Sequence, residues 1–212
     1  VVVDEQHRFG VNQRDLLLSK GLQPHLLTMT ATPIPRTLAL SIHGDLDVSQ
    51  INELPPGRTK IQTTLLLSSQ RNLAYQLLKA HIIKGQQAYF VLPLVEESDK
   101  IELRSAIDVH KELSEEIFIE FTVGLLHGRM NSYEKDSVIQ NFVSGDIQIL
   151  VSTTVIEVGV DVANATLMVV DHADRFGLAQ LHQLRGRVGR GGKSSECLLI
   201  DSGKNPSSKK KL

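Results

Sequence analysis

Short apolar runs recur along the chain at Leu26–Met29, Ala88–Leu92, Val123–Leu126, Ile147–Val151 and Leu167–Val170. Several carry β-branched residues, and continuous rather than alternating apolarity marks strands covered on both faces, as in a parallel sheet. Between them the period changes to that of helices. Leu73, Leu77, Leu78 and Ile82 share one face of the first, and Val138, Ile139 and Phe142 one face of another, which Asn131 and Glu134 can start as a capping box. The acidic stretch from Glu96 to Glu120 predicts a solvated helix and connecting loop with no chemistry of its own. Strand and helix in alternation predict an α/β doubly wound architecture.

Punctuation divides this pattern. Leu54-Pro55-Pro56-Gly57-Arg58 stops both helix and strand and reads as a linker. The expected organisation is therefore the end of one α/β unit over 1–54, a linker over 55–59, a second unit over 60–201 and a polar, basic tail over 202–212. The chain opens on Val1-Val2-Val3, a strand pattern running straight into Asp4-Glu5, so a fragment of a longer protein is expected.

Composition adds limits. A chain of 212 residues, 41% hydrophobic and 22% charged, is ordinary for a globular protein. The formal net charge of -1 argues against indiscriminate adhesion to nucleic acid, so such binding must come from a local patch. One patch stands out, since Arg175 to Lys193 holds five Lys or Arg and no Asp or Glu. Cys197, the only cysteine, lies in an apolar run and reads as a buried structural thiol. No apolar run is long enough to span a bilayer, and no signal segment opens the chain, so no membrane partner and a cytoplasmic protein are expected.

Two regions carry candidate chemistry. From Gln180 to Arg190 three arginines alternate with glycines. Arginine offers a planar fork of donors that fits a phosphate face, and glycine removes the side chains that would hold a phosphate away. A solvated basic turn has the same composition. Near the start, a strand ending in Asp4-Glu5 puts carboxylates at the carboxyl edge of a parallel sheet, where ligands of such sheets bind. That suits Asp4 to hold Mg²⁺ and Glu5 to polarise a water, although adjacent acids also mark surface turns. Thr30 and Thr32 leave the next strand in Thr30-Ala-Thr-Pro-Ile-Pro-Arg-Thr37, placed to bond across to the acids or simply to form a proline-stiffened loop.

Taken together, Asp4-Glu-Gln-His7, Thr30-Ala-Thr32, Thr153-Thr154 with Gly159 and Asp161, and Gln183-Leu-Arg-Gly-Arg-Val-Gly-Arg190 resemble helicase motifs two, three, five and six of the superfamily-two helicases. Within that group, Asp4–Val11, Thr30–Leu38, Glu53–Thr59, Leu94–Ser98, Val155–Asp161 and Gly177–Arg190 resemble the RecG family of branched-DNA translocases. The transcription-repair coupling translocases are similar relatives. The resemblance covers nearly the whole chain. It implies a RecA-like parallel sheet flanked by helices, of the phosphate-loop NTPase type, in a helicase C-terminal domain with a remnant of the first motor domain, and ATP in the cleft between the two.

Residue by residue, the resemblance implies that Asp4 and Glu5 act on Mg²⁺ and water, and that His7, Thr30 and Thr32 couple nucleotide state to movement. Arg187 and Arg190 become arginine fingers for the γ-phosphate, positioned by Gln183, with Gly159 and Asp161 near the nucleotide. DNA, branched or forked, is expected on the opposite edge at Thr153, Thr154 and the turn His127-Gly128-Arg129. Taken alone, His127 is more often a structural turn residue. No Gly-Lys-Thr or Gly-Lys-Ser phosphate loop occurs in the chain, so the upstream and downstream parts of a parent chain are expected as partners and the piece alone is expected to hydrolyse no ATP. The alternatives are a transcription-repair coupling motor and a non-catalytic nucleic-acid-binding module of the same shape.

Overall fold

A computed structural model describes residues 1–4, 16–17, 19, 21, 24–30, 47, 49–51, 53, 58–93, 99–153 and 162–203, the side chains of 99–103 excepted. These fall into two compact units, Val1–Asn52 and Glu53–Leu212.

In the first unit, β1 (Val2–Asp4) pairs in parallel with β2 (Leu27–Met29), Asp4 opposite Met29. Only Val3 of the opening strand is buried, at 2% exposure; Val2 is 64% exposed. Parallel register puts Asp4 and Thr30 at the same carboxyl edge of neighbouring strands.

The second unit is built on six parallel strands in the order β3-β8-β7-β4-β6-β5: β3 (Gln62–Leu67), β4 (Gln87–Val91), β5 (Val123–Leu126), β6 (Ile149–Ser152), β7 (Ala165–Val170) and β8 (Glu196–Asp201). Every residue of β4, β6 and β7 is buried, as their unbroken apolarity predicts, because helices cover both faces. At the sheet's two edges burial drops to Leu66 in β3 and to alternate residues in β5.

Alternation of side chains divides the core between two faces. On one, Ala88, Phe90, Ile149, Val151, Leu167 and Val169 meet α1 (Arg71–Ile83) and α2 (Asp99–Lys111). On the other, Tyr89, Val91, Leu150, Met168 and Val170 meet α3 (Ser132–Ser144) and α4 (Leu178–Arg185). The expected face of α1 holds at Leu77, Leu78 and Ile82 and fails only at Leu73. Ala74, Leu78, His81 and Ile82 are buried, while Leu73 is 42% exposed. His81 takes a core position because its Nδ1 meets the Thr166 hydroxyl at 2.8 Å, which meets the cost of burying it.

The acidic stretch also differs from a merely solvated helix. α2 widens into a π turn over Glu112–Ile117, and Ala106, Leu113 and Phe118 are buried, Phe118 meeting Tyr75 edge-on at 6.2 Å. α3 starts as expected. The Asn131 side chain accepts from the Glu134 N–H, and the Glu134 carboxylate accepts from the Asn131 N–H, both at 2.9 Å. It ends on Gly145 at φ 92°, the left-handed conformation that glycine adopts without a Cβ penalty.

Candidate functional site

The arginine turn follows α4. Leu181, Leu184 and Val188 are buried against the core, and this anchors the helix and leaves His182 and Arg190 exposed, with Gln183, Arg185 and Arg187 half-buried. At the start of the helix the Gln180 side chain accepts from the Gly177 N–H at 2.9 Å. At its end, Arg187 N–H donates to Leu184 O at 2.9 Å, and the Gly186 carbonyl accepts from Arg58 Nη2 at 2.8 Å and Arg190 Nε at 3.2 Å. Arg185 lies 3.1 Å from His182 Nδ1. Burial, together with the nearby Arg185 and Arg58 cations, holds His182 below its ordinary pKa, so its Nδ1 serves as an acceptor. Cations here also suit the negative end of the helix dipole.

The chain segment 58–61 and the loop before β7 form a cradle around this turn. Thr59 Oγ1 donates to Lys193 O at 2.9 Å, and Lys193 Nζ donates to Asn164 Oδ1 at 2.9 Å. Gly189 sits at φ 79°, where a Cβ would come within 3.1 Å of Ile61, and a Cβ on Gly191 would lie 2.2 Å from the Ala163 carbonyl oxygen. The glycines therefore let the backbone lie flat against its neighbours. All of this is at the amino edge of the sheet, because residues 58–61 and 163–164 precede β3 and β7. Arg58 and Thr59, read in sequence as linker, are bonded into the second unit.

A second polar region lies at the opposite, carboxyl edge. β5 and β6 are adjacent and in register, so His127 and Thr153 follow neighbouring strand ends, and Thr153 N–H donates to Leu126 O at 3.3 Å. Gly128 and Arg129 are exposed and His127 is half-buried; Lys135 Nζ donates to Gly128 O at 3.0 Å. Burial is the largest influence on His127 and, with Lys135 and Arg129, outweighs Glu134 to hold its pKa below the ordinary value. Its Nδ1 and the Thr153 hydroxyl oxygen are buried without a hydrogen-bond partner among the described residues. Thr153 is 0% exposed, so a nucleic-acid strand reaches its hydroxyl only if the site opens.

Of the residues singled out in sequence, Glu5, His7, Thr32, Thr154, Gly159 and Asp161 lie outside the described residues. Asp4 and Thr30 share one edge in the first unit. Gln183 at the end of α4 and Arg187 and Arg190 on the turn after it lie together in the second, well separated along the strands from His127–Arg129 and Thr153. Among the described residues no group of His, Cys, Asp and Glu could alone hold a metal ion, and no helix is long and apolar enough to cross a membrane.

Sequence reasoning missed three polar features. Arg58 is one. Asp171, 2% exposed, pairs with Arg71 Nη2 at 2.9 Å, and Arg71 stacks over Tyr75 and Phe90. Asp174 accepts from the N–H and hydroxyl of Ser202 at 2.9 and 2.7 Å, and these bonds outweigh burial to hold its pKa below the ordinary value. The signal for Asp171 was present, since it follows the run Leu167–Val170 as Asp4 follows Val1–Val3.

Comparison with known proteins bears on the family and the fold. ATP-dependent DNA helicase RecG of Synechocystis sp. is 55% identical over the whole chain, which covers 26% of that relative. RecG of Bacillus subtilis is 50% identical, again over the whole chain and 31% of the relative. The chain thus spans roughly a quarter to a third of the curated relatives it matches. A solved structure of RecG bound to a three-way DNA junction superposes with a TM-score of 0.77 at 45% identity, over 100% of this chain and 27% of that one. S. cerevisiae Dbp5, bound to RNA and ADP BeF3, superposes over 99% of this chain and 54% of its own at a TM-score of 0.66; at 16% identity it shows the shared RecA-like fold. The profile of the helicase conserved C-terminal domain matches residues 69–192, more than half of the chain, which therefore belongs to that family.

Proposed function

We propose that this chain is part of an ATP-dependent DNA helicase or translocase that remodels branched DNA, with an arginine turn for the nucleotide and a separate polar edge for the DNA. The observation that carries the reading is the separation itself. A glycine-lined turn bearing Arg187 and Arg190 sits at one edge of the sheet, and the exposed Gly128-Arg129 turn sits at the other. The relatives named as RecG and the neighbour bound to a DNA junction support the choice of DNA and of branched substrate.

The residues fit a triphosphate. Guanidinium groups on a turn whose glycines leave the backbone bare can approach phosphate oxygens closely. ATP, when bound, supplies the phosphoryl group whose transfer to water drives the cycle. Arg187 and Arg190 would stabilise the charge that develops on the γ-phosphate oxygens, and Gln183, in the last turn of α4, would position them. In the first unit Asp4 would hold Mg²⁺ and Glu5 would polarise the attacking water, with His7, Thr30 and Thr32 coupling nucleotide state to movement; Gly159 and Asp161 would lie near the nucleotide. On the DNA edge, Gly128, Arg129 and the His127 imidazole meet the sugar-phosphate backbone, together with Thr153 and Thr154. Such contacts position without reading sequence. A cytoplasmic, nucleoid-associated protein follows from this reading.

The test is steady-state ATP hydrolysis by the full-length protein on forked DNA. Arg187→Ala and Arg190→Ala are each expected to lower kcat by about 10³, with nucleotide binding retained. Unchanged turnover would assign the turn to structure or to DNA and overturn the reading.

A further inference from the structure

Arg58 is separated from the arginine turn by 128 residues in sequence, yet its Nη2 donates to the Gly186 carbonyl at 2.8 Å. That carbonyl belongs to the peptide that leads directly into Arg187. It also accepts from Arg190 Nε at 3.2 Å, so one oxygen ties Arg58 to both candidate fingers. The last carbonyls of a helix have no intrahelical partner, and each must find one elsewhere. Here the partner is a guanidinium, which makes a charge-assisted bond stronger than a neutral one and less tolerant of displacement.

The surroundings are shaped for this bond. A Cβ on Gly186 would lie 3.3 Å from Gln183 O, a tight approach, and 3.6 Å from Arg58 Nη2, so the guanidinium packs directly against the Gly186 Cα. One residue on, Thr59 Oγ1 holds Lys193 O at 2.9 Å; two beyond that, Ile61 faces Gly189. The segment 58–61 thus grips the turn on both sides of Arg187 and Arg190. Simple helix capping would need only the first of these contacts.

From this geometry we infer that Arg58 is a positioning residue, which fixes the arginine turn for phosphoryl transfer through the Gly186 carbonyl. The inference rests on the assignment of Arg187 and Arg190 as fingers. Arg58 itself is not required to touch the nucleotide. Its loss lets the turn shift, and a shift of about 1 Å in a charge-stabilising group is enough to slow the chemical step strongly.

The experiment is a kinetic cycle on the full-length protein with forked DNA. Arg58→Ala is expected to lower kcat about tenfold while the KM for ATP stays within about twofold, and Arg58→Lys, which keeps a donor and a charge, recovers part of the loss. In an Arg187→Ala background, Arg58→Ala is expected to lower kcat by less than in wild type, because part of its effect runs through the missing group. Should Arg58→Ala fail to fold, Arg58→Gln is measured instead, with the same split between kcat and KM. If Arg187→Ala abolishes turnover but the Arg58 variants leave kcat unchanged, or if the losses simply multiply, the positioning role is overturned and the fingers stand. If Arg187→Ala and Arg190→Ala leave turnover intact, both readings fall.

Discussion

His127 sits on the turn after β5 beside two cations, Arg129 and Lys135, and burial together with those charges holds its imidazole below the ordinary pKa. A histidine shifted in that direction is neutral at pH 7 and takes up a proton only below its usual range. It can donate or accept a hydrogen bond, but it adds no charge against phosphate. Arg129 is exposed and permanently charged. Arg129→Ala is therefore expected to reduce the slope of log K for DNA against log salt by about 0.7 to 0.9, whereas His127→Ala lowers affinity and leaves the slope intact. Fluorescence anisotropy across a salt series at pH 7.5 checks this, and equal slope changes would place a charge on His127. Legibility at this scale follows locality. Arginines among glycines and acids after apolar runs announce themselves, because neighbours in sequence make the chemistry. Arg58 did not, because its partner is far along the chain and nothing near Pro55-Pro56-Gly57 points to it.

Elements were legible in proportion to how far local pattern and tertiary burial agree. β4, β6 and β7 read clearly because they are buried on both faces, and α3 because its cap is written in Asn131 and Glu134. β3 gives no clear signal because an edge strand buries little: among Gln62–Leu67 only Leu66 is buried. In β8 the run Cys197–Ile200 reads as apolar without by itself specifying a strand. On α1 the leucines mark the core face at Leu77 and Leu78, whereas Ala74 and His81 complete it silently, because alanine is small and His81 finds a partner in Thr166 that sequence alone does not reveal. Two substitutions separate element stability from site geometry. Asn131→Ala removes the α3 cap at a cost of about 1 kcal/mol and is expected to leave ATP turnover unchanged. Gly191→Ala drives a methyl into the Ala163 backbone, costing about 1–3 kcal/mol, and is expected to lower kcat as well by displacing the turn. Urea unfolding and ATPase assays on both proteins decide the matter. Equal effects on turnover would mean that the cradle does not hold the arginines.

At the scale of the whole second unit, the sheet behaves as one closed layer, and Cys197 reports on it. The thiol lies in β8 between β3 and β7 and is 1% exposed. Burial pushes its pKa from 9.0 up to about 12, with Arg185 opposing. The folded unit therefore keeps this proton at pH values where the unfolded chain has released it. The sign follows: the neutral thiol's contribution to stability is fully present below pH 9.0 and is lost progressively as pH rises toward about 12. In that window each pH unit removes up to about 1.4 kcal/mol of stability. Other groups titrate there too, Tyr75 among them, since burial raises its pKa despite Arg71. The measured quantity is thus the difference between wild type and Cys197→Ala in urea unfolding at pH 7.5, 9.5 and 10.5. Wild type is expected to lose stability faster than the variant as pH rises, and thiol labelling followed by mass spectrometry should track global unfolding rather than exposure of the native strand. Parallel pH dependences, or rapid labelling of native protein, would mean that β8 opens independently of the sheet. That would place a mobile strand beside the amino edge where the arginine turn is held.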